Sequence, residues 1–387
     1  MKEEDAGSRI TPKAAFRSDR HSERPRGQQS GSCDAQLRLR YNLAVMKNIF
    51  LRCTILLFTI TVSLFAQDGQ LRFANLEDFK LTSGGVIRDC RVGYRTYGHL
   101  NAQKSNAILF ASWATGTSEQ LKVQIAPGKL ADSSKYFVVL VDALANGVSS
   151  SPSNSQSQPR MKFPKITIRD MVNSQYQLLT QQLGIHHLKA VMGASMGGMQ
   201  TFQWIVSYPD FMDKAVPIVG SPRLAPYDLV LWKAETDAIE SDASWNNGEY
   251  KENPARLLLA EFGALVGKTP QRYNREMTRQ QVVEALEKEA RQPGFDANDH
   301  IRQMEAMMSL DVSDVFEGSM EKAAAAVKAK VLVVVGANDH VVTPGPAKDF
   351  AKLLGAELLE LESDCGHQSP ACEEAAIAAR ASAFLEK

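Results

Sequence analysis

The sequence predicts an α/β fold, a mostly parallel sheet covered by helices with an inserted helical cap, on three observations. From residue 106, apolar β-branched runs of strand length at 107–113, 136–144, 188–193, 214–219, 331–336 and 357–362 alternate with helical patterns such as 168–183 and 346–354. Strands apolar on both faces and spaced by helices form a parallel sheet sheltered on both sides. Between about Ser221 and Met320 the alternation lapses into four helical patterns, 227–241, 254–266, 279–291 and 298–310, which carry dense charge and no buried strand. Residues 71–100 alternate polar and apolar side chains around Gly84-Gly85, the pattern of an antiparallel hairpin at a sheet edge.

Taken in order, the chain opens on a segment that cannot build a core. Residues 1–45 hold nine basic and six acidic side chains with only Phe16 and Tyr41 as aromatics, and are expected to be disordered. Met46-Lys47 and Arg52 then precede an apolar run at 53–65 and the small residue Ala66. A charged start, a short apolar core and a small residue at the cut describe a secretory signal peptide at 46–66. This expectation makes Met46 the true start, Gln67 the first mature residue, and the location secreted or periplasmic. The alternatives for the run are a buried core helix or a retained N-terminal anchor. The remainder divides into a first core part at 67–220, the cap at 221–320 and a second core part at 321–387.

The composition narrows the function. The chain is 44% hydrophobic and 23% charged, as ordinary globular proteins are. From Gln67 onward 33 basic side chains face 38 acidic ones with no basic stripe, which argues against a nucleic-acid partner. No apolar run approaches the roughly 20 residues of a membrane span, so none is expected after signal cleavage. Beyond residue 66 the cysteines are Cys90, Cys365 and Cys372, an odd number with no Cys-x-x-Cys and no metal-type spacing. Cys365 and Cys372 are near enough to cross-link in an oxidising compartment; the alternative is three buried, inert thiols. The stretch 149–158, rich in Ser and Gln, is expected to be a mobile loop.

Chemistry enters at Gly193-Ala194-Ser195-Met196-Gly197-Gly198, between the strand pattern 188–192 and the helical pattern 199–208. Gly-x-Ser-x-Gly between strand and helix is the nucleophile elbow of the α/β-hydrolase fold, where small neighbours let a sharp turn lift the serine above the sheet. In that fold the base and its orienting acid follow in the order Ser, Asp or Glu, His. Asp339 stands just past the strand at 331–335, and His367 follows the last strand within Asp364-Cys365-Gly366-His367. The triad is therefore read as Ser195, Asp339 and His367. His186 and His187 precede the nucleophile strand, His99 lies near the edge hairpin, His300 lies in the cap, and His340, adjacent to Asp339 and able to point at the site, has a strand position that suits an acid better than a base. For the oxyanion, the candidate donors are the Met196 N–H, next to the nucleophile, and the Ala114 N–H in the loop Ser112-Trp113-Ala114-Thr115-Gly116. Asn146-Gly147 forms a second loop over the same face, either lining the pocket or lying as a solvated turn.

These residues together resemble the homoserine O-acetyltransferase family of the α/β-hydrolase fold over about residues 71–387. The likeness is densest in Phe163-Pro164-Lys165-Ile166-Thr167-Ile168-Arg169-Asp170-Met171-Val172, and continues through Gln175, Leu183-Gly184-Ile185 and the elbow to Tyr208-Pro209. Asp242-Ala243-Ser244-Trp245-Asn246, Phe295-Asp296-Ala297-Asn298-Asp299 and Asp311 extend it into the cap. The resemblance implies a sheet domain with a helical lid, an acyl-serine intermediate and a homodimer through the cap. No metal or organic cofactor is implied.

The sequence departs from the family where substrate is held. The family's oxyanion loop reads His-Ala-Leu-Thr-Gly, and here Trp113 stands at its second position. Its cap helix carries Gln-Arg, the arginine holding the substrate carboxylate; an ungapped count places Glu235-Thr236 there. Its histidine is followed by an aspartate for the substrate amine, and here by Gln368. Trp113, Thr236 and Gln368 are thus the expected substrate-binding residues, with Lys233 offering only a point charge. The triad without the amino-acid anchors predicts hydrolysis of small acyl esters. The alternatives are a homoserine O-acetyltransferase using acetyl-CoA, or a non-catalytic binding protein on a hydrolase scaffold.

Overall fold

The computed structural model describes residues 68–387. The described residues fall within one compact unit, Gln67–Lys387. The readings of disorder, signal peptide and start site at residues 1–66 lie outside the described residues.

Eight strands form one sheet in the order β1-β2-β4-β3-β5-β6-β7-β8. They are β1 (Arg72–Lys80), β2 (Val86–Tyr97), β3 (Ala107–Ala111), β4 (Phe137–Val141), β5 (Leu188–Ala194), β6 (Met212–Ile218), β7 (Lys330–Gly336) and β8 (Glu357–Leu361). The hairpin β1–β2 lies at one edge and joins β4 antiparallel; every later pairing is parallel. The strands alternate between two apolar layers. Leu109, Val139, Val191 and Val333 face one layer, while Ile108, Phe110, Val138, Met192 and Val334 face the other. A two-residue period with both faces apolar is the signature of a sheet buried between helices.

The helices longer than one turn are α1 (Ile168–Gln177), α2 (Met196–Ser207), α3 (Pro226–Ser241), α4 (Arg256–Val266), α5 (Pro270–Glu276), α6 (Arg279–Ala290), α7 (Ala297–Met308), α8 (Met320–Ala326), α9 (Gly345–Leu354) and α10 (Glu374–Glu386). The start of α1 is a capping box. The Asp170 N–H donates to Thr167 Oγ1 and the Thr167 N–H to Asp170 Oδ2, which satisfies two donors that the first turn leaves open. The other Asp170 oxygen accepts the Thr82 N–H at 2.7 Å, tying α1 to the edge hairpin. The single helix expected over 168–183 ends early: after Gln177 the chain widens into one turn closed by Leu183 N–H to the Leu178 carbonyl.

The insertion between β6 and β7 is helical, and α5 is a helix that the periodicity missed. Its parts differ in burial. Helix α7 buries most of its side chains, whereas α4, α5 and α6 bury none, leaving Leu257, Leu258, Leu265 and Val283 exposed. No described helix is long and apolar enough to cross a membrane.

One expectation is corrected here. The stretch 149–158 is not a mobile loop but a packed, hydrogen-bonded one, with Ser149, Ser150 and Ser151 buried. Strand β2 pairs with β4 only through Tyr94–Tyr97, so its earlier amides need acceptors. Gly93 N–H donates to Ser149 Oγ, Arg91 N–H to Ser150 Oγ and Arg88 N–H to Gln158 Oε1. Small hydroxyl side chains replace a missing strand, a use that composition alone cannot reveal. Ser153 also donates twice to Asp299 of α7. Burial, together with the Asp296 charge, pushes the Asp299 carboxyl up to about 7.

Candidate active site

The carboxyl ends of four parallel strands set the site. β5 runs into α2 through Ser195, whose φ of 56° and ψ of −120° lie outside the regions most residues adopt. The turn is tight enough that a Cβ at Gly193 would stand 2.5 Å from the Gly197 carbonyl, and one at Gly197 would strike the Ala111 carbonyl oxygen. Both positions therefore need glycine. Such a strained serine persists only where its surroundings over-determine it, and here the Ser195 N–H is held by the Ile218 carbonyl at 2.9 Å.

His367 follows β8 and Asp339 follows β7. His367 Nε2 lies 2.9 Å from Ser195 Oγ, and His367 Nδ1 lies 2.7 Å from Asp339 Oδ2. Asp339 is buried, and its second oxygen accepts the Val341 and Val342 amides, so the carboxylate is fixed in direction. Burial disfavours the His367 imidazolium. The Asp339 charge and hydrogen bond, with the Asp228 charge, outweigh it and hold His367 above its ordinary value of 6.5. The structure thus brings together all three residues that the sequence order selects.

The loop carrying His367 is held from two sides. A disulfide joins Cys365 to Cys372, enclosing His367. From the cap, Thr269 Oγ1 donates to the Asp364 carbonyl at 2.6 Å, and Arg275 of α5 pairs with the Asp364 carboxylate at 2.6 Å. The remaining described cysteine, Cys90, is unpaired and buried, its thiol pushed up to about 12 by that burial.

The loop 112–116 is fixed just as closely. Gln200 of α2 donates to the Ser112 and Met196 carbonyls and accepts from Gln175, while Thr115 N–H donates to Gln303 of α7. Among the described residues, neither the Met196 nor the Ala114 amide meets an acceptor, as donors kept for a ligand oxygen require. Asn146 is buried and does not line the cavity. Its amide donates to the Gly116 carbonyl and to Asp142, so it supports the loop from behind.

Ser195 and His367 open into a cavity of about 540 Å³, also lined by Trp113, Ala114 and Gln368. Thr236 is not there. Its hydroxyl donates back to the Lys233 carbonyl, and both residues line a separate cleft, where Lys233 pairs with Asp237. The neighbour Glu235 lines the cavity instead, 2.9 Å from His300 Nε2. Adjacent residues on a helix point about 100° apart, so an ungapped count that finds the right pair can still select the wrong member. The sequence reading also missed His300 as a wall of the site, and Asp228 of α3, a buried carboxylate that accepts the Thr343 and Ala225 amides. Only the capping position of Asp228, three residues after Ala225, was visible as a signal.

Known proteins share this architecture. A model of the alpha/beta hydrolase fold family matches residues 111–370. A probable esterase of Corynebacterium glutamicum is 34% identical over 317 residues, 78% of this chain and 90% of that protein. A homoserine O-acetyltransferase of Methanosalsum zhilinae is 32% identical over 337 residues, 76% of this chain and 68% of that protein. Among solved structures, an acetylester hydrolase from Corynebacterium glutamicum aligns with a TM-score of 0.78 at 30% identity, covering 82% of this chain and 97% of that one. Since the family match runs from the end of β3 through the cap to the His367 turn, it is by this whole arrangement, and not by one turn motif, that the chain belongs to the α/β-hydrolase family.

Proposed function

We propose that this enzyme hydrolyses small acyl esters through an acyl-serine intermediate. The observation that carries the reading is the hydrogen-bonded row of Ser195, His367 and Asp339 at the floor of the cavity. Ser195 Oγ attacks the ester carbonyl while His367 Nε2 takes its proton, and Asp339 stabilises the imidazolium that forms. The Met196 and Ala114 amides receive the oxyanion. Collapse of the tetrahedral intermediate expels the alcohol, protonated by His367. Water, deprotonated by His367, then releases the acid and restores Ser195.

Hydrolysis is favoured over acyl transfer to homoserine by the wall opposite the triad. Among the described residues no Lys or Arg lines the cavity to pair with the acceptor's carboxylate, Glu235 stands near the expected guanidinium position, and neutral Gln368 follows His367. The esterase and acetylester hydrolase relatives support the same reading, while the homoserine O-acetyltransferase relatives favour the second. A fluorophosphonate probe is expected to label the wild type and to leave Ser195→Ala unlabelled, with ester hydrolysis falling roughly four to six orders of magnitude in the variant. An unlabelled folded wild type overturns the enzyme reading. Saturable O-acetylhomoserine formation from acetyl-CoA, faster than hydrolysis, restores the second.

A further inference from the structure

The cap wall of the cavity holds one feature that the triad does not use. Glu235 on α3 and His300 on α7 meet at 2.9 Å across the two helices, with their side chains 15% and 13% exposed. Phe295 packs edge-on against the His300 ring, with centroids 6.5 Å apart, so the imidazole is held on a second side. His300 occupies one oxygen of Glu235. The other meets no protein donor among the described residues, yet Glu235 borders the same cavity as Ser195. The other cap residues that line the cavity, Trp232, Met304 and Met307, are apolar.

A carboxylate oxygen without a protein partner, on an otherwise apolar wall, needs a donor or a cation when a ligand displaces water. A second carboxylate brought to the same wall finds no Lys or Arg among the described residues and meets like charge. We propose that Glu235, held by His300, is the specificity-determining group of this site. It accepts a hydroxyl or cationic group at the end of the ester remote from the scissile bond, and it disfavours carboxylated esters. The inference rests on the ester-hydrolase reading and names the substrate class within it.

The test compares kcat/KM for four acetate esters of similar length: butyl acetate, 4-hydroxybutyl acetate, its 4-trimethylammonio analogue and 4-acetoxybutyrate. In the wild type the hydroxyl and cationic esters are expected to exceed the carboxylated ester by at least about tenfold, since a charged contact is worth about that or more. Glu235→Gln keeps the shape of the side chain and removes its charge. It is expected to cut the cation-to-anion ratio by about tenfold. A wild-type ratio near one overturns the inference even if the variant does not fold, and so does an unchanged ratio in a folded variant. A purely structural contact between α3 and α7 would lower stability without moving this ratio. The four esters together separate the two failures: hydrolysis with a flat ratio overturns this inference alone, and inertness of all four overturns the hydrolase reading and this inference with it.

Discussion

The two walls of the Ser195 cavity are built by different rules. On the sheet side, Ser195, Asp339, His367 and the 112–116 loop each follow a parallel strand, at the ends of β5, β7, β8 and β3. Backbone ladders set the places of those strand ends, so chain order largely decides which residues meet. On the cap side, Trp232 and Glu235 come from α3, and His300, Met304 and Met307 from α7. No β-ladder joins those two helices among the described residues; a short bridge between Arg223 and Asp311 ties only the segments that flank them. Their positions rest on side chains such as Arg302, which donates to the Phe163 carbonyl, Gln303, which accepts from Thr115, and Asp299, which accepts from Ser153. On the function proposed above, the sheet wall carries the reaction and the cap wall chooses what reacts.

That division is open to attack in order of effect. Asp339→Asn removes the charge behind His367 and leaves its shape; if chemistry resides on the sheet wall, kcat falls about 10³ to 10⁴-fold while KM changes little. Michaelis kinetics on a small acetate ester read both, and a loss confined to KM would break the comparison. The next largest effect concerns the disulfide that encloses His367. Opening an eight-residue ring releases loop entropy worth about 2–3 kcal/mol. Cys372→Ser is therefore expected to lower the melting temperature by several degrees and kcat several-fold. If, as we propose from the sequence, residues 46–66 are a cleaved signal, protein recovered outside the cytoplasm starts near Gln67; in either case the purified chain is expected to gain the mass of two hydrogens on reduction, and a chain that gains none has no bridge.

The smallest effect falls where the walls touch. Asp228 stands at the start of cap helix α3, yet its charge helps to raise His367. The base must be neutral to take the Ser195 proton, so kcat/KM is expected to rise with pH through a value above 6.5. Asp228→Asn removes one raising charge, so this acid limb moves to lower pH while the rate at high pH changes little. An unmoved limb in a variant of normal stability would separate the cap from the chemistry more sharply than the structure draws it.

Ser195, Asp339 and His367 were legible because a parallel sheet converts sequence order into spatial order: each stands one turn past a recognisable apolar strand. The helix starting at Ile168 was legible by its period, and the Thr167 and Asp170 caps fix its start locally. The cap helices other than α5 were visible by their period, but the period did not say which residue of α3 faces Ser195. Thr236 and Glu235 are sequence neighbours, and helix rotation against α7 alone decides that Glu235 meets His300, 65 residues away. The serines at 149–151 misled for a related reason. Their composition is that of a solvated loop, and only the open amides of β2 give them buried partners. What the sequence by itself determined are the elements and the order of the strand ends, because capping, hydrophobic period and parallel crossovers act through local or backbone forces. What only the tertiary structure decided is which helix face and which loop hydroxyl turn inward, because side-chain packing between distant segments sets them and no local signal carries that information.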